Sequence, residues 1–118
     1  MAGLRQRREE KVAAERLPAG ARHAIVDGVR GWLYALTSEA GDQYELFAYF
    51  DGGGYQVRVV VPDVFGRSDH HQSYLFPDGR ICLGPDGVGM ATLEAAFVRS
   101  AIWANGFSIY RRTTKFPY

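Results

Sequence analysis

The sequence predicts a small α+β domain. Three observations carry that expectation: a polar helical stretch at the amino terminus, a central block of strand-like runs punctuated by glycine, and a second helical pattern near the carboxyl end. The 118 residues fit one domain, 1–118, and a chain of this length buries roughly two-thirds of its unfolded surface.

The elements follow in order. Residues 2–16 lack proline and, after Gly3, glycine, and are rich in Ala, Arg, Glu and Gln. Their apolar positions (Leu4, Val12, Ala13, then Leu17) are sparse, so the helix is expected to be mostly solvated, and Leu17-Pro18-Ala19-Gly20 ends it. This first piece occupies 1–17. Three strands are expected next, forming an antiparallel meander over 23–62. His23 to Leu36 is the first, with Gly28 and Gly31 as bends or bulges. Tyr44 to Phe50 is apolar on both faces, as a central strand would be. Tyr55 to Val61 alternates, with Tyr55, Val57, Val59 and Val61 on one face and Arg58 on the other. Asp51-Gly52-Gly53-Gly54 is the turn before it, and Pro62 stops it.

Residues 63–91 read as a long irregular segment interrupted by Tyr74-Leu75-Phe76 and Ile81-Cys82-Leu83. A long ordered loop inside a compact domain usually carries function. Thr92 is a good N-cap for a helix over 92–105, with Leu93, Ala96, Phe97, Ser100, Ala101 and Ala104 on one face. Asn105-Gly106 reads as its stop and 106–118 as a basic tail.

Composition narrows the function. Apolar residues at 47% and charged residues at 23% exclude a wholly disordered chain. A net charge of +1 lacks the basic excess of a general nucleic-acid binder. No run approaches the ~18–20 apolar residues of a membrane span. The charged amino terminus does not resemble a secretory signal, so the cytoplasm is the expected compartment, with neither membrane nor nucleic acid as partner. One cysteine excludes an internal disulfide. Gly52-Gly53-Gly54 lacks the Lys-Ser/Thr ending of a phosphate loop and opens a strand, so no nucleotide cofactor is expected.

Cys82 is the first candidate for chemistry. A free cysteine is most often a small core residue, but this one stands between the turn Pro77-Asp78-Gly79 and Gly84-Pro85, where a side chain is reachable. Arg80 and the nearby histidines would favour the thiolate, the reactive form. His70 and His71 precede it as candidate base, orienter or oxyanion donor. Asp69, His70, His71 and Cys82 would make an acceptable ligand set, but they follow no recognisable metal spacing, and no metal is expected. Residues 1–22 hold six basic and three acidic side chains, and Arg5, Arg7, Arg8 and Lys11 form a basic helix face able to dock an acidic partner.

The run from His70-His71 through Pro77-Asp78-Gly79-Arg80-Ile81-Cys82-Leu83 resembles the active-site segment of ubiquitin-conjugating enzymes, where a histidine-containing turn precedes Gly-x-Ile-Cys-Leu. The basic amino-terminal helix, the Gly-Gly turn opening Tyr55 to Pro62 and the helix after the cysteine fall in that family's order. Trp103 through Phe107, Tyr110, Thr114, Phe116 and Pro117 are similar to the compact bacterial versions, which sit beside ubiquitin-activating-like and JAB-type peptidase genes, often in anti-phage operons. The resemblance implies a compact, truncated UBC-like fold. It implies that Cys82 accepts a ubiquitin-like modifier as a thioester and passes it to an amine. It implies His71 or His70 as orienter or oxyanion donor, and the Arg5, Arg7, Arg8 and Lys11 face as the docking site for an activating enzyme. A JAB-type deconjugating peptidase would act in the same pathway. The family's His-Pro-Asn is absent, and Asn105, the one asparagine, follows the cysteine, so the usual oxyanion amide is missing or replaced. The alternative expectation is a catalytically inert adaptor of the same fold.

Overall fold

The computed structural model describes residues 3–67 and 69–118, the side chain of His70 excepted. The order is helix, four-stranded sheet, irregular segment, long helix.

Helix α1 spans Leu4–Glu15 and has neither acidic residues in its first turn nor basic ones in its last, so its dipole gains nothing from its charges. Tertiary contacts hold it instead. Ala13 and, just beyond, Leu17 are buried in the core. Glu9 reaches the sheet, accepting hydrogen bonds from Trp32 Nε1 at 3.1 Å and from the Tyr55 hydroxyl at 2.8 Å. The outward side is solvated, as its sparse apolar pattern predicts.

The sheet has strands β1 (Arg22–Val26), β2 (Val29–Thr37), β3 (Gln43–Phe50) and β4 (Tyr55–Val61), antiparallel in the order β1-β2-β3-β4. The single strand expected over 23–36 is therefore a hairpin. Its turn is Asp27-Gly28, with φ of 50° and 81°. A two-residue hairpin turn matched to the strand twist needs positive φ at both centres, which Asp-Gly supplies at little cost. Gly31 is neither bend nor bulge. It lies in β2, where a Cβ would stand 2.4 Å from the Ala48 carbonyl oxygen and 2.7 Å from the Phe47 ring.

β3 lies between β2 and β4, the central place its apolar pattern predicts. Leu46 and Ala48 enter the main core, while Phe47 is buried on the other face and stacks at 5.8 Å on Tyr49. In β4 the expected alternation holds through Val59 and fails at Val61, which is 47% exposed. The register explains it. Leu46 faces Val59 but Glu45 faces Val61, so Val60 is an extra residue that moves Val61 to the opposite face.

Beyond the cis Val61–Pro62 bond the chain returns along the free edge of β4. Val59 N–H donates to the Gly79 carbonyl at 2.9 Å, Ile81 N–H to Val57 at 2.8 Å, and Tyr55 and Met90 exchange two bonds of 2.7 and 2.8 Å. The irregular segment thus covers a strand edge that would otherwise be open to another chain. Within it lie one turn of α-helix, α2 (His70–Ser73), and a short 3-10 turn at Pro85–Gly87.

Helix α3 spans Leu93–Thr113. Thr92 caps it as expected, its hydroxyl accepting from Ala95 N–H at 3.1 Å. Glu94 in the first turn and Arg111 and Arg112 in the last suit the helix dipole. The stop expected at Asn105-Gly106 is absent, and residues 106–113 of the expected tail are helical. Asn105 uses its side-chain oxygen to accept from Glu39 N–H at 2.8 Å, fastening the β2–β3 turn. Gly106 is buried beneath the returning chain, where a Cβ would meet the Phe116 ring at 2.4 Å. The helix ends at Thr114, which adopts φ 62°.

α3 crosses one face of the sheet. Tyr34 and Ser100 hydroxyls lie 2.6 Å apart, and Ser38 and Tyr44 both meet Ser108 Oγ at 2.7 Å. Among the described residues no buried side-chain N or O lacks a partner, which removes the main cost of placing hydroxyls in a core. Trp103 and Phe107 stack at 4.7 Å, and Trp103 and Trp32 are both buried in the core. No described helix is long and apolar enough to cross a membrane.

Candidate functional site

The segment around Cys82 folds as a small irregular hairpin. Leu75 pairs with Ile81, and the intervening Pro77-Asp78-Gly79 turn closes with Gly79 N–H donating to Phe76 at 2.9 Å and Phe76 N–H donating to Arg80 at 2.8 Å. Tyr74 adopts φ 55°, rare for a bulky residue, and its carbonyl accepts from Cys82 N–H at 2.9 Å. That bond fixes the backbone of the cysteine. Ile81 is 1% and Leu83 8% exposed. With its neighbours on both sides turned into the core, the Cys82 side chain is turned out and is exposed. Its Sγ lies 3.7 Å from the Gly84 carbonyl oxygen, a weak S–H contact.

The thiol opens into a cavity of about 410 Å³, the walls of which include Tyr74, Ile102, Trp103, Phe116 and Tyr118, with Arg99 as a charged member. The walls come from three elements. Trp103 is fixed by its Nε1, which donates to the Ser73 carbonyl at 2.9 Å. Phe116 and Tyr118 arrive after Thr114 reverses the chain, with Phe116 4.7 Å from the Tyr74 ring. An exposed thiol beside a mostly apolar pocket can meet a bound group there while water is partly excluded.

The other predicted residues fall in different places. His71 is exposed on α2 and does not line the Cys82 cavity. The role expected of the His70 side chain lies outside the described residues. Asp69 serves as an anchor. Arg67 donates to it twice, at 2.7 and 2.6 Å, and the Tyr110 hydroxyl donates at 2.6 Å. The Arg67 bonds, helped by Tyr110, hold its carboxyl well below the usual carboxylate range. Among the described residues no three His, Cys, Asp or Glu side chains gather as a metal site. Arg80, expected to favour the thiolate, pairs instead with Asp78 at 2.8 Å and lies 4.6 Å over the Phe76 ring.

On α1, Arg5, Arg7, Arg8 and Lys11 are all exposed, and Arg5 also pairs with Glu9 at 3.5 Å and covers the Phe50 ring at 4.4 Å. Two contributors were missed from sequence. Tyr110 was read as part of a tail. Arg99 precedes Ile102 and Trp103 by three and four residues, the spacing that puts it on their face of the helix, but that face was recognisable only once Trp103 was known to meet the cysteine segment.

The fold and the site define an α+β domain with one exposed cysteine at the mouth of an apolar cavity. No protein-family model, curated protein or solved structure matches the chain.

Proposed function

We propose that this protein is a ubiquitin-conjugating-like enzyme of the compact bacterial, anti-phage type. Cys82 takes the carboxyl-terminal acyl group of a ubiquitin-like modifier from the thioester of an activating enzyme and passes it to an amine of a target. The observation that carries the reading is the exposed thiol of Cys82, presented by a buttressed loop at an apolar cavity. The order of helix, antiparallel meander, cysteine segment and crossing helix agrees with what the resemblance implies.

The chemistry suits a small domain. Sulfur-to-sulfur acyl exchange is nearly isoenergetic, so the protein chiefly has to orient the reactants. His71 acts as a positioning residue on α2, the turn that leads into Tyr74. The Arg7, Arg8 and Lys11 face, with Arg5 beside it, docks the activating enzyme. The pathway is cytoplasmic and includes a JAB-type deconjugating peptidase.

The test is a non-reducing gel after incubation with modifier, activating enzyme and ATP. The expected result is an adduct one modifier larger, sensitive to thiols and lost in Cys82→Ala. An adduct that persists in Cys82→Ala refutes the assignment. A chain that binds the modifier without forming an adduct is the inert adaptor.

A further inference from the structure

Arg99 is the one cation among the described residues that line the Cys82 cavity. Other guanidiniums of this half of the chain are committed elsewhere: Arg67 to Asp69, Arg80 to Asp78 and Arg112 to Asp42. The nearest acid in the helix, Glu94, pairs with Arg16. Arg99 has no such partner among the described residues. Its guanidinium offers several donors in one plane. Next to apolar walls a charge acts more strongly than in open water, although exposure leaves it sensitive to salt.

We propose that Arg99 holds the negative charge that acyl exchange places on the carbonyl oxygen at Cys82, the role for which the sequence offers no suitably placed asparagine. The proposal rests on the acyl-carrier function above. In the exchange, the Cys82 thiol releases its proton to solvent and its sulfur attacks the carbonyl carbon of the donor thioester. A C–S bond forms and the carbonyl electron pair moves to oxygen. Collapse reforms the carbonyl and breaks the bond to the donor sulfur, which leaves as thiolate. Transfer to an amine repeats the sequence, with the amine losing its proton to solvent and Cys82 leaving. No electrons are gained or lost overall, and both steps pass through an oxyanion beside the same cavity. His71 is the donor that the resemblance implies, but it does not line that cavity.

The experiment has two parts, each run on wild type, Arg99→Met and Arg99→Lys. The first compares Cys82 alkylation by anionic iodoacetate and neutral iodoacetamide. A cation facing the thiol favours the anionic reagent, so Arg99→Met should lower the iodoacetate-to-iodoacetamide rate ratio about two- to fivefold. Arg99→Lys should restore it, and 1 M salt should shrink the difference. The second measures the rate of thioester formation with modifier and activating enzyme, expected to fall roughly tenfold or more in Arg99→Met and to recover in Arg99→Lys. An unchanged alkylation ratio overturns the placement of the charge. A changed ratio with unchanged charging overturns the oxyanion role. A wild-type protein with the Arg99-dependent ratio but no adduct overturns the acyl-carrier function, and the oxyanion role with it.

Discussion

The hydroxyl of Tyr110, near the end of α3, donates a 2.6 Å hydrogen bond to the carboxylate of Asp69, the residue just before α2. The two are 41 positions apart in sequence, and the bond ties the long helix to the segment that leads into Tyr74 and Cys82. Arg67 completes the arrangement from the other side and lies 5.2 Å from the Phe107 ring centre. Tyr110→Phe removes one charge-assisted bond at a partly exposed site. The expected loss is about 1 kcal/mol, or roughly 4 °C in Tm. A melting temperature equal to that of the wild type would show that the bond contributes nothing.

Acid should loosen the same anchor. The folded carboxyl of Asp69 is depressed by Arg67 and then Tyr110, and that of Asp42 by its bonds to Arg112 and then Ser108. A depressed folded value means that the contribution is complete above the unfolded carboxylate value near ~4 and is lost as pH falls from there toward the folded value. The urea midpoint should therefore drop below about pH 4, and less steeply in the Asp42→Asn, Asp69→Asn double variant. Equal slopes in wild type and double variant would assign the acid sensitivity to other carboxylates.

Glu9 and its arginine neighbours separate folding from docking. Glu9→Ala leaves Trp32 Nε1 and the Tyr55 hydroxyl without their acceptor, at an expected cost of about 1–3 kcal/mol in urea denaturation. Charge reversal at Arg7, Arg8 and Lys11, all exposed, should change stability by no more than about 0.5 kcal/mol while slowing loading by the activating enzyme. Arg5 is less suitable for reversal because it also covers Phe50. Normal loading by the reversed variant would move the docking face elsewhere.

Gly106 controls the wall of the cavity. A Cβ there would stand 2.4 Å from the Phe116 ring and 2.9 Å from Tyr118. Gly106→Ala improves helix propensity by up to about 1 kcal/mol, yet it forces those rings outward. The helix signal in circular dichroism should persist while Cys82 reacts several-fold faster with a bulky maleimide. Unchanged reactivity would mean that the tail does not limit access to the thiol.

His71 tests the positioning role of α2. His71→Ala should slow discharge of the modifier to free lysine more than it slows charging of Cys82, because a thiolate is both a good attacker and a good leaving group. Equal slowing of both steps would indicate a folding defect, read directly from the melting curve.

What was legible in the sequence was local. The cap at Thr92, the double-sided apolarity of β3 and the turn residues on either side of Cys82 all depend on near neighbours. What was misread depends on partners distant in sequence. Asn105-Gly106 has the composition of a helix stop, but Glu39 and Phe116 engage these residues from elsewhere in the chain. Val60 looks like any strand residue, and only the pairing of β4 with β3 makes it the extra one. Asp27-Gly28 is different, since its two-residue hairpin signal was present in the sequence and was read only as a bend. Arg99 gave no signal because its importance depends on which carboxylates its neighbours have already taken.

The most direct test of the acyl-carrier function is intact-mass analysis of Cys82→Ser after incubation with modifier, activating enzyme and ATP. A serine hydroxyl that replaces the thiol at the acceptor position should trap the acyl group as an oxygen ester. The predicted result is a mass gain of one modifier less one water, stable to dithiothreitol and removed by dilute hydroxide, where the wild-type adduct is removed by dithiothreitol. An unmodified Cys82→Ser protein, together with a wild-type adduct that survives both dithiothreitol and the Cys82→Ala substitution, would contradict the assignment of Cys82 as the acyl carrier.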